Sequence, residues 1–163
     1  MSRLALSVIG LVLGAAAAFA DARQDCYEKS GDAAIRACTE AIRRDPQDAL
    51  SYVNRAYEYL QKADLARSIA DYSKAIEIDP GRSDALQGRA WAYLKAGKAA
   101  EGLVDAEASL KLKPDAAQTL DTRGHILEAL GRREEAIADF RRALAIEPRL
   151  SGSRDALKRL GVQ

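Results

Sequence analysis

Side chains that ligate metals or carry nucleophilic chemistry are scarce in this sequence. Its 163 residues include one histidine, two cysteines and one methionine. A four-ligand Cys/His zinc site needs more than that, so no metal ligand set is assigned. There is no Gly-rich phosphate loop, no Ser nucleophile elbow and no His-x-x-x-His run, the motifs of phosphate-binding, hydrolytic and metallopeptidase chemistry. No catalytic residue and no cofactor are assigned, and the chain is read as a non-enzyme. Excess charge of one sign is also missing. The formal net charge is +1, and Arg3 is the only charged residue among residues 1–20, so the remainder is neutral. A neutral chain of mixed signs carries no electrostatic footprint for nucleic acid or an anionic membrane surface. Yet 48% of the residues are hydrophobic and 30% charged, which suits a folded chain rather than a disordered one.

One long apolar run is present, at the N-terminus. Arg3 precedes an uncharged stretch from Leu4, which ends in Ala18-Phe19-Ala20 before Asp21. A short positive start, an apolar run and a small-x-small ending form the pattern of a secretory signal peptide, with cleavage expected after Ala20. The alternative is an uncleaved anchor, for which 17 residues are at the short limit. Lipid attachment at Cys26 is disfavoured, because Arg23-Gln24-Asp25 precedes it where small apolar residues belong. Export to the periplasm or medium changes the reading of the two cysteines. Cys26 and Cys38 lie twelve apart, and an even count in an oxidising compartment favours a disulfide. Two buried free thiols and a redox pair are the alternatives, the latter without the C-x-x-C spacing it usually has.

The four prolines carry most of the information. They are Pro46, Pro80, Pro114 and Pro148, each 34 residues from the next. Aligned on them, the chain falls into registers 15–48, 49–82, 83–116 and 117–150, the first truncated by the export signal. Counting each register from 1, position 8 holds Ala56, Ala90 and Gly124; position 20 holds Ala34, Ser68, Gly102 and Ala136; position 27 holds Ala41, Ala75, Ser109 and Ala143. Small residues there let two helix backbones approach, while bulky ones at 4 and 11 (Tyr52, Leu86, Leu120; Tyr59, Tyr93, Leu127), with Tyr72 and Phe140 at 24 where the other registers hold Cys38 and Ala106, fill the space beside them. Ala63, Gly97 and Gly131 at position 15 suit a turn after a first helix. Proline at position 32 ends a second one. First helices (A) are expected at about 49–62, 83–96 and 117–130, and second helices (B) at about 32–44, 64–78, 98–112 and 132–146.

In these positions the sequence resembles the tetratricopeptide repeat (TPR) family. SIADYSKAIEIDP, ending at Pro80, and GRREEAIADFRRALAIEP, ending at Pro148, are typical segments. The resemblance covers about 32–150 and implies an all-α solenoid of stacked antiparallel helical hairpins. The expected organisation is a signal peptide over 1–20, an N-terminal cap and partial repeat over 21–48, complete repeats over 49–82, 83–116 and 117–150, and a C-terminal capping helix within 151–163. That last helix is expected to run from a capping Ser153 to Leu160, with Leu157 and Leu160 inward and Arg154, Lys158 and Arg159 outward. In the cap, Cys26–Cys38 would pin the segment 21–29 to the first helix B. Gly102, Ala106 and Ser109 are all small, so the third helix B is expected to pack thinly.

Position 7 departs from the family pattern, which often has Leu there. It holds Arg55, Arg89 and Arg123, and sixteen residues later stand Asp71, Asp105 and Asp139. Three repetitions favour an Arg–Asp pair bridging helices A and B, within a repeat or to the preceding one; independent solvated charges are the alternative.

The family likeness also implies a concave face lined by helices A, with a bound peptide or protein segment as partner. The groove positions hold Leu50, Val53, Tyr57 and Leu60, then Gln87, Trp91 and Lys95, then Asp121, His125 and Glu128. This gradient from apolar to acidic suits a ligand with an apolar part and a basic or polar part. Tyr57 and Trp91 are candidate anchors, with packing against neighbouring helices as the alternative. Asp121, four residues before His125, would favour a protonated imidazole. The carboxylate-clamp pattern of the chaperone-tail subclass is met only by Asn54 and Lys95, whereas Val53, Asp121 and Gly88 stand where it needs other side chains. Two functions therefore stand: a protein- or peptide-binding scaffold of the cell envelope, or a structural component that self-associates or docks on a membrane complex through its convex side.

Overall fold

A computed structural model describes residues 22–162; the expected signal segment, 1–20, lies outside them. The chain forms helices α1 (22–28), α2 (Gly31–Arg44), α3 (Ala49–Gln61), α4 (Leu65–Ile78), α5 (Ser83–Lys95), α6 (Ala99–Leu112), α7 (Ala117–Ala129), α8 (Arg133–Ile146) and α9 (Ser151–Arg159). Among the described residues there is no strand, and no helix is long and apolar enough to cross a membrane. The pairs α3/α4, α5/α6 and α7/α8 pack most extensively, and each pair packs on the next. The result is an all-α solenoid of helical hairpins.

The repeating turns explain the period. Every B helix ends two residues before its proline, and the intervening residue (Asp45, Asp79, Lys113 or Glu147) returns its N–H to the carbonyl four residues earlier. Its φ values are −125° to −136°, the extended backbone a following proline requires. The tight turn inside each hairpin needs a left-handed residue, with φ 57° at Ala63, 73° at Gly97 and 75° at Gly131. Only Ala63 carries a Cβ there, a strain on the order of 1 kcal/mol.

Packing uses the small positions to bring backbones together. Ala34, Ala41, Ala56, Ala75, Ala90, Ala136 and Ala143 are all essentially without solvent contact. A Cβ on Gly124 would lie 2.6 Å from the Phe140 ring, and one on Gly88 would lie 2.3 Å from Cζ of Tyr72. Gly88 therefore stands at position 6 because the Tyr72 ring of the preceding hairpin occupies the space. The expectation that α6 packs thinly fails. Gly102 brings α6 so close to α5 that its Cβ would lie 2.8 Å from the Ala90 carbonyl oxygen. Ile126 of α7, fully buried against Ala90 and Ala106, fills the remaining space. Ser109 hydrogen-bonds the Ser83 carbonyl at 2.8 Å.

Ser68 shows the same logic by exception. Its position holds Ala34, Gly102 and Ala136 in the other hairpins, and its buried hydroxyl has no hydrogen-bond partner among the described residues. Burying an unpaired hydroxyl costs about 1–3 kcal/mol. Ser68→Ala should raise stability by about 1 kcal/mol, measured as a shift of the urea midpoint at constant m. An unchanged or lower midpoint would show that the hydroxyl is satisfied in solution.

The three arginines of position 7 each form a two-bond fork to the aspartate of their own hairpin. The distances are 2.7 and 2.8 Å for Arg55–Asp71, 2.7 and 2.8 Å for Arg89–Asp105, and 2.6 and 2.7 Å for Arg123–Asp139. The same guanidinium also reaches back one hairpin: Arg55 donates to Thr39 Oγ1 at 3.0 Å and Arg89 to Ser73 Oγ at 2.9 Å. For Arg55 and Arg89 the polar fork thus joins three helices where leucine would have joined them by contact alone. The carboxylate hydrogen bond raises each guanidinium further above its ordinary pKa, against the opposing effect of burial.

Both ends of the array are closed. At the N-terminus a Cys26–Cys38 disulfide, with both residues buried, ties α1 to α2. Arg23 and the Tyr27 hydroxyl also reach the buried Asp48 carboxylate, which accepts from Ser51 Oγ at 2.7 Å. At the C-terminus α9 starts at Ser151, not at a capping Ser153. Ser153 is instead fully buried and donates to Asp121 Oδ1 at 2.6 Å. Leu157 and Leu160 pack on the last hairpin. Arg159, expected to point away, turns back onto Glu128 of α7.

Candidate peptide-binding groove

Helices α3, α5, α7 and α9 pack side by side along one face, and a 34-residue step carries each side chain to its counterpart on the next. Position 9 therefore forms a stripe. Extending the register past its complete repeats adds Arg23 of α1 and Arg159 of α9 to Tyr57, Trp91 and His125. The stripe has three aromatic rings between two arginines. Arg23, Tyr27 and Arg159 fall outside the complete repeats and so outside the groove positions assigned from sequence, although the 34-residue period itself leads to them.

Two clefts flank the middle of the stripe. Trp91 separates two clefts. One, of about 340 Å³, is lined by Leu60, Gln61, Ala63, Leu65, Trp91 and Lys95. The other, of about 470 Å³, is lined by Trp91, Leu94, Lys95, His125, Glu128, Ala129 and Arg159. The Lys95 ammonium stands 5.0 Å from the Trp91 ring centroid, within cation–π range. His125 meets Trp91 edge-on at 5.7 Å and Phe140 at 4.9 Å, so its ring belongs to the wall. Its nitrogens lie 3.8 Å from Asp121 and Glu128, beyond hydrogen-bond distance. Tyr57 is 52% exposed, a free ring at the N-terminal side.

Several residues expected along the groove have other work. Val53 packs against the core formed by Ala49, Ala56, Tyr72 and Ala75. Gln87 donates to Thr122 Oγ1 at 2.8 Å and ties α5 to α7. Leu50 is half-buried and lines neither cleft. The acidic end is already engaged from within: Asp121 accepts from Ser153, and Glu128 takes Arg159 at 3.1 and 2.7 Å. Those bonds hold the Glu128 carboxyl below its ordinary range despite its partial burial. On α5, burial pushes the Asp84 carboxyl up, but hydrogen bonding and charge from Arg82 outweigh it and leave it lowered. The apolar-to-acidic gradient read from the sequence is therefore not the one a ligand would meet. Among the described residues no group of three or more His, Cys, Asp or Glu side chains could hold a metal ion.

Stacked hairpins with an open aromatic stripe along their first helices define a helical-repeat solenoid. Tetratricopeptide-repeat family models match residues 49–82, 72–103 and 117–150, and the chain belongs to that family. No curated protein sequence matches it significantly. Similar solved structures include the first TPR domain of Spaghetti (RPAP3) bound to the HSP90 peptide SRMEEVD. It is 26% identical with a TM-score of 0.67, over 72% of this chain and 93% of that one. The second TPR domain of human RPAP3, in complex with the HSP70 peptide SGPTIEEVD, is 26% identical with a TM-score of 0.65, over 71% and 96%. The Arabidopsis OM64 TPR domain shares the fold at 24% identity and a TM-score of 0.66, over 69% and 93%.

Proposed function

We propose that this chain is a non-catalytic scaffold of the cell envelope that captures an extended peptide segment in the groove along α3, α5 and α7. The observation that carries the reading is Trp91. A large aromatic ring stands between two open clefts, the one toward α9 mainly apolar and the other of mixed polarity, an arrangement in which aromatics act as binding anchors. Peptide complexes of two similar TPR domains support it. The envelope assignment rests on the apolar run and small-x-small ending of residues 1–20 and on a disulfide that suits an oxidising compartment.

The test has two parts. The full chain, expressed in a bacterial host with a periplasm, should be recovered from that compartment with Asp21 as its first residue. Peptides selected by display on the mature protein should then lose at least about tenfold in affinity with Trp91→Ala and Tyr57→Ala combined, while the far-ultraviolet dichroism is unchanged. Retained affinity would move the binding surface elsewhere. The structural alternative has its own observation in the exposed apolar side chains of helices B, Val104 at 66%, Leu112 at 48% and Ile146 at 43%. If that reading holds, charged substitutions at those three positions weaken partner binding and the Trp91 variant does not.

A further inference from the structure

We infer that the C-terminal end of the array docks an amphipathic helix of a partner protein, one that offers an apolar residue at i and carboxylates at i+1 and i+4. This site is separate from the groove and does not depend on it. Helices α3, α5 and α7 are each followed by a helix B, whereas among the described residues no helix follows α9. In the 34-residue register α9 and the residues after it hold Arg154 at position 4, Leu157 at 7, Lys158 at 8, Gly161 at 11 and Val162 at 12. Positions 4, 7, 8 and 11 are where a helix A receives the helix B of its own hairpin. Leu120 clusters with Ala143, Arg123 is forked to Asp139, a Cβ on Gly124 would meet Phe140, and one on Gly102 would meet Tyr93. At the end of the array the same positions, with Leu144 of α8, line a mainly apolar cleft of about 440 Å³. The cleft is the berth of a helix B.

Charge decides what can lie in that berth. In the complete hairpins position 7 is the arginine, while positions 4 and 8 are bulky or small and uncharged: Tyr52, Leu86 and Leu120; Ala56, Ala90 and Gly124. On α9 the pattern is exchanged, with Leu157 at 7 and the exposed Arg154 and Lys158 at 4 and 8. Among the described residues neither cation has a carboxylate within ion-pair distance; Arg154 donates to the Pro148 carbonyl at 2.7 Å. Positions 7, 8 and 4 face positions 23, 24 and 27 of a helix B, as Arg123–Asp139, Gly124–Phe140 and Leu120–Ala143 show. An incoming helix therefore needs an apolar residue where the complete hairpins have Asp71, Asp105 and Asp139, and carboxylates one and four residues later. Covering Leu144, Leu157 and Val162 removes apolar surface from water. It also strips water from two cations, and charge-assisted hydrogen bonds to carboxylates offset that loss. A second copy of this chain fits badly. None of its helices B has a carboxylate at position 24 or 27, and α4, α6 and α8 would set an aspartate against Leu157. Two α9 helices face to face would oppose like charges, which disfavours pairing.

A display library built on a helix B tests this. Peptides of the α8 sequence, Arg133–Ile146, are randomised at the places of Ala136, Asp139, Phe140 and Ala143 and selected on the disulfide-intact chain. The expected result is Leu, Ile, Val or Met at the place of Asp139, with Asp or Glu at the places of Phe140 and Ala143. The selected peptides, synthesised with a fluorescent label, should gain helical dichroism on binding and slow amide exchange in α9. Their affinity, read by anisotropy, should fall at least about tenfold when Arg154→Glu is combined with Lys158→Glu. Lysine in place of the peptide's acids should restore binding to that variant, which a merely unfolded α9 could not do. Val162→Asp should weaken the same peptides by a similar factor, and an unchanged melting temperature checks that each variant is folded. Selection of peptides rich in Lys or Arg overturns the inference, as does failure to select any peptide. Peptides that bind the double variant unchanged lie elsewhere on the array and also overturn it. Self-association of the chain that Val162→Asp abolishes would give the berth to a second copy and overturn the partner helix.

Discussion

Asp105→Ala should lower the stability of the array by about 3 kcal/mol, with the loss concentrated in α5 and α6. The Asp105 side chain is 7% exposed and accepts both bonds of the Arg89 fork, and the guanidinium otherwise has Ser73 Oγ and the face of Tyr93 beside it. Removing the carboxylate leaves a largely buried cation whose remaining hydrogen-bond partner among the described residues is one hydroxyl. At about 3 °C per kcal/mol for a chain of this size, the melting temperature should fall by roughly 10 °C. Removing both charges separates attraction from burial. Arg89→Met combined with Asp105→Leu should recover most of the loss, because an apolar pair of similar volume leaves nothing unpaired. Thermal melts of the single and double variants, with hydrogen exchange to locate the change, read both. A loss below about 0.5 kcal/mol for Asp105→Ala would place the fork among surface ion pairs, which contribute little.

Replacing Cys26 and Cys38 together by serine should release α1. The disulfide joins residues twelve apart in sequence, and removing it is expected to cost about 3 kcal/mol in the first hairpin. The seven residues of α1 are too few to hold a helix alone. The ties left after the bond is cut are largely polar: Arg23 and Tyr27 on Asp48. Hydrogen exchange should show protection of 22–28 lost, while α5 to α9 keep theirs, since each hairpin packs mainly on its neighbours. Persistent protection of 22–28 would show that the Asp48 contacts suffice. The same experiment bears on the groove, because Arg23 and Tyr27 stand at its N-terminal limit.

Much of the fold is legible in the sequence alone, and the period explains why. A 34-residue repeat states one hairpin three times, so proline at position 32, small residues at 8, 20 and 27 and the Arg–Asp spacing of sixteen reinforce one another. Legibility falls where the repeat is used once. The first helix A is described only over 22–28, and its attachment to the array appears only when Arg23 and Tyr27 are seen against Asp48. At the other end α9 takes the place of a further helix A, and its Ser153 and Arg159 remove Asp121 and Glu128 from the surface a ligand would meet. No local pattern announces either event. Gly88 is a third case, because its reason is the ring of Tyr72 sixteen residues earlier on another hairpin.

The amino-acid sequence by itself determined the solenoid, its helices and the turn chemistry, because those follow from spacing along one chain. Only the tertiary structure decided which charges remain available. That depends on side-chain distances across helices that touch only after stacking: Arg159 to Glu128, Ser153 to Asp121, and the open approach to Lys95 beside Trp91. Pairing is a property of the folded array.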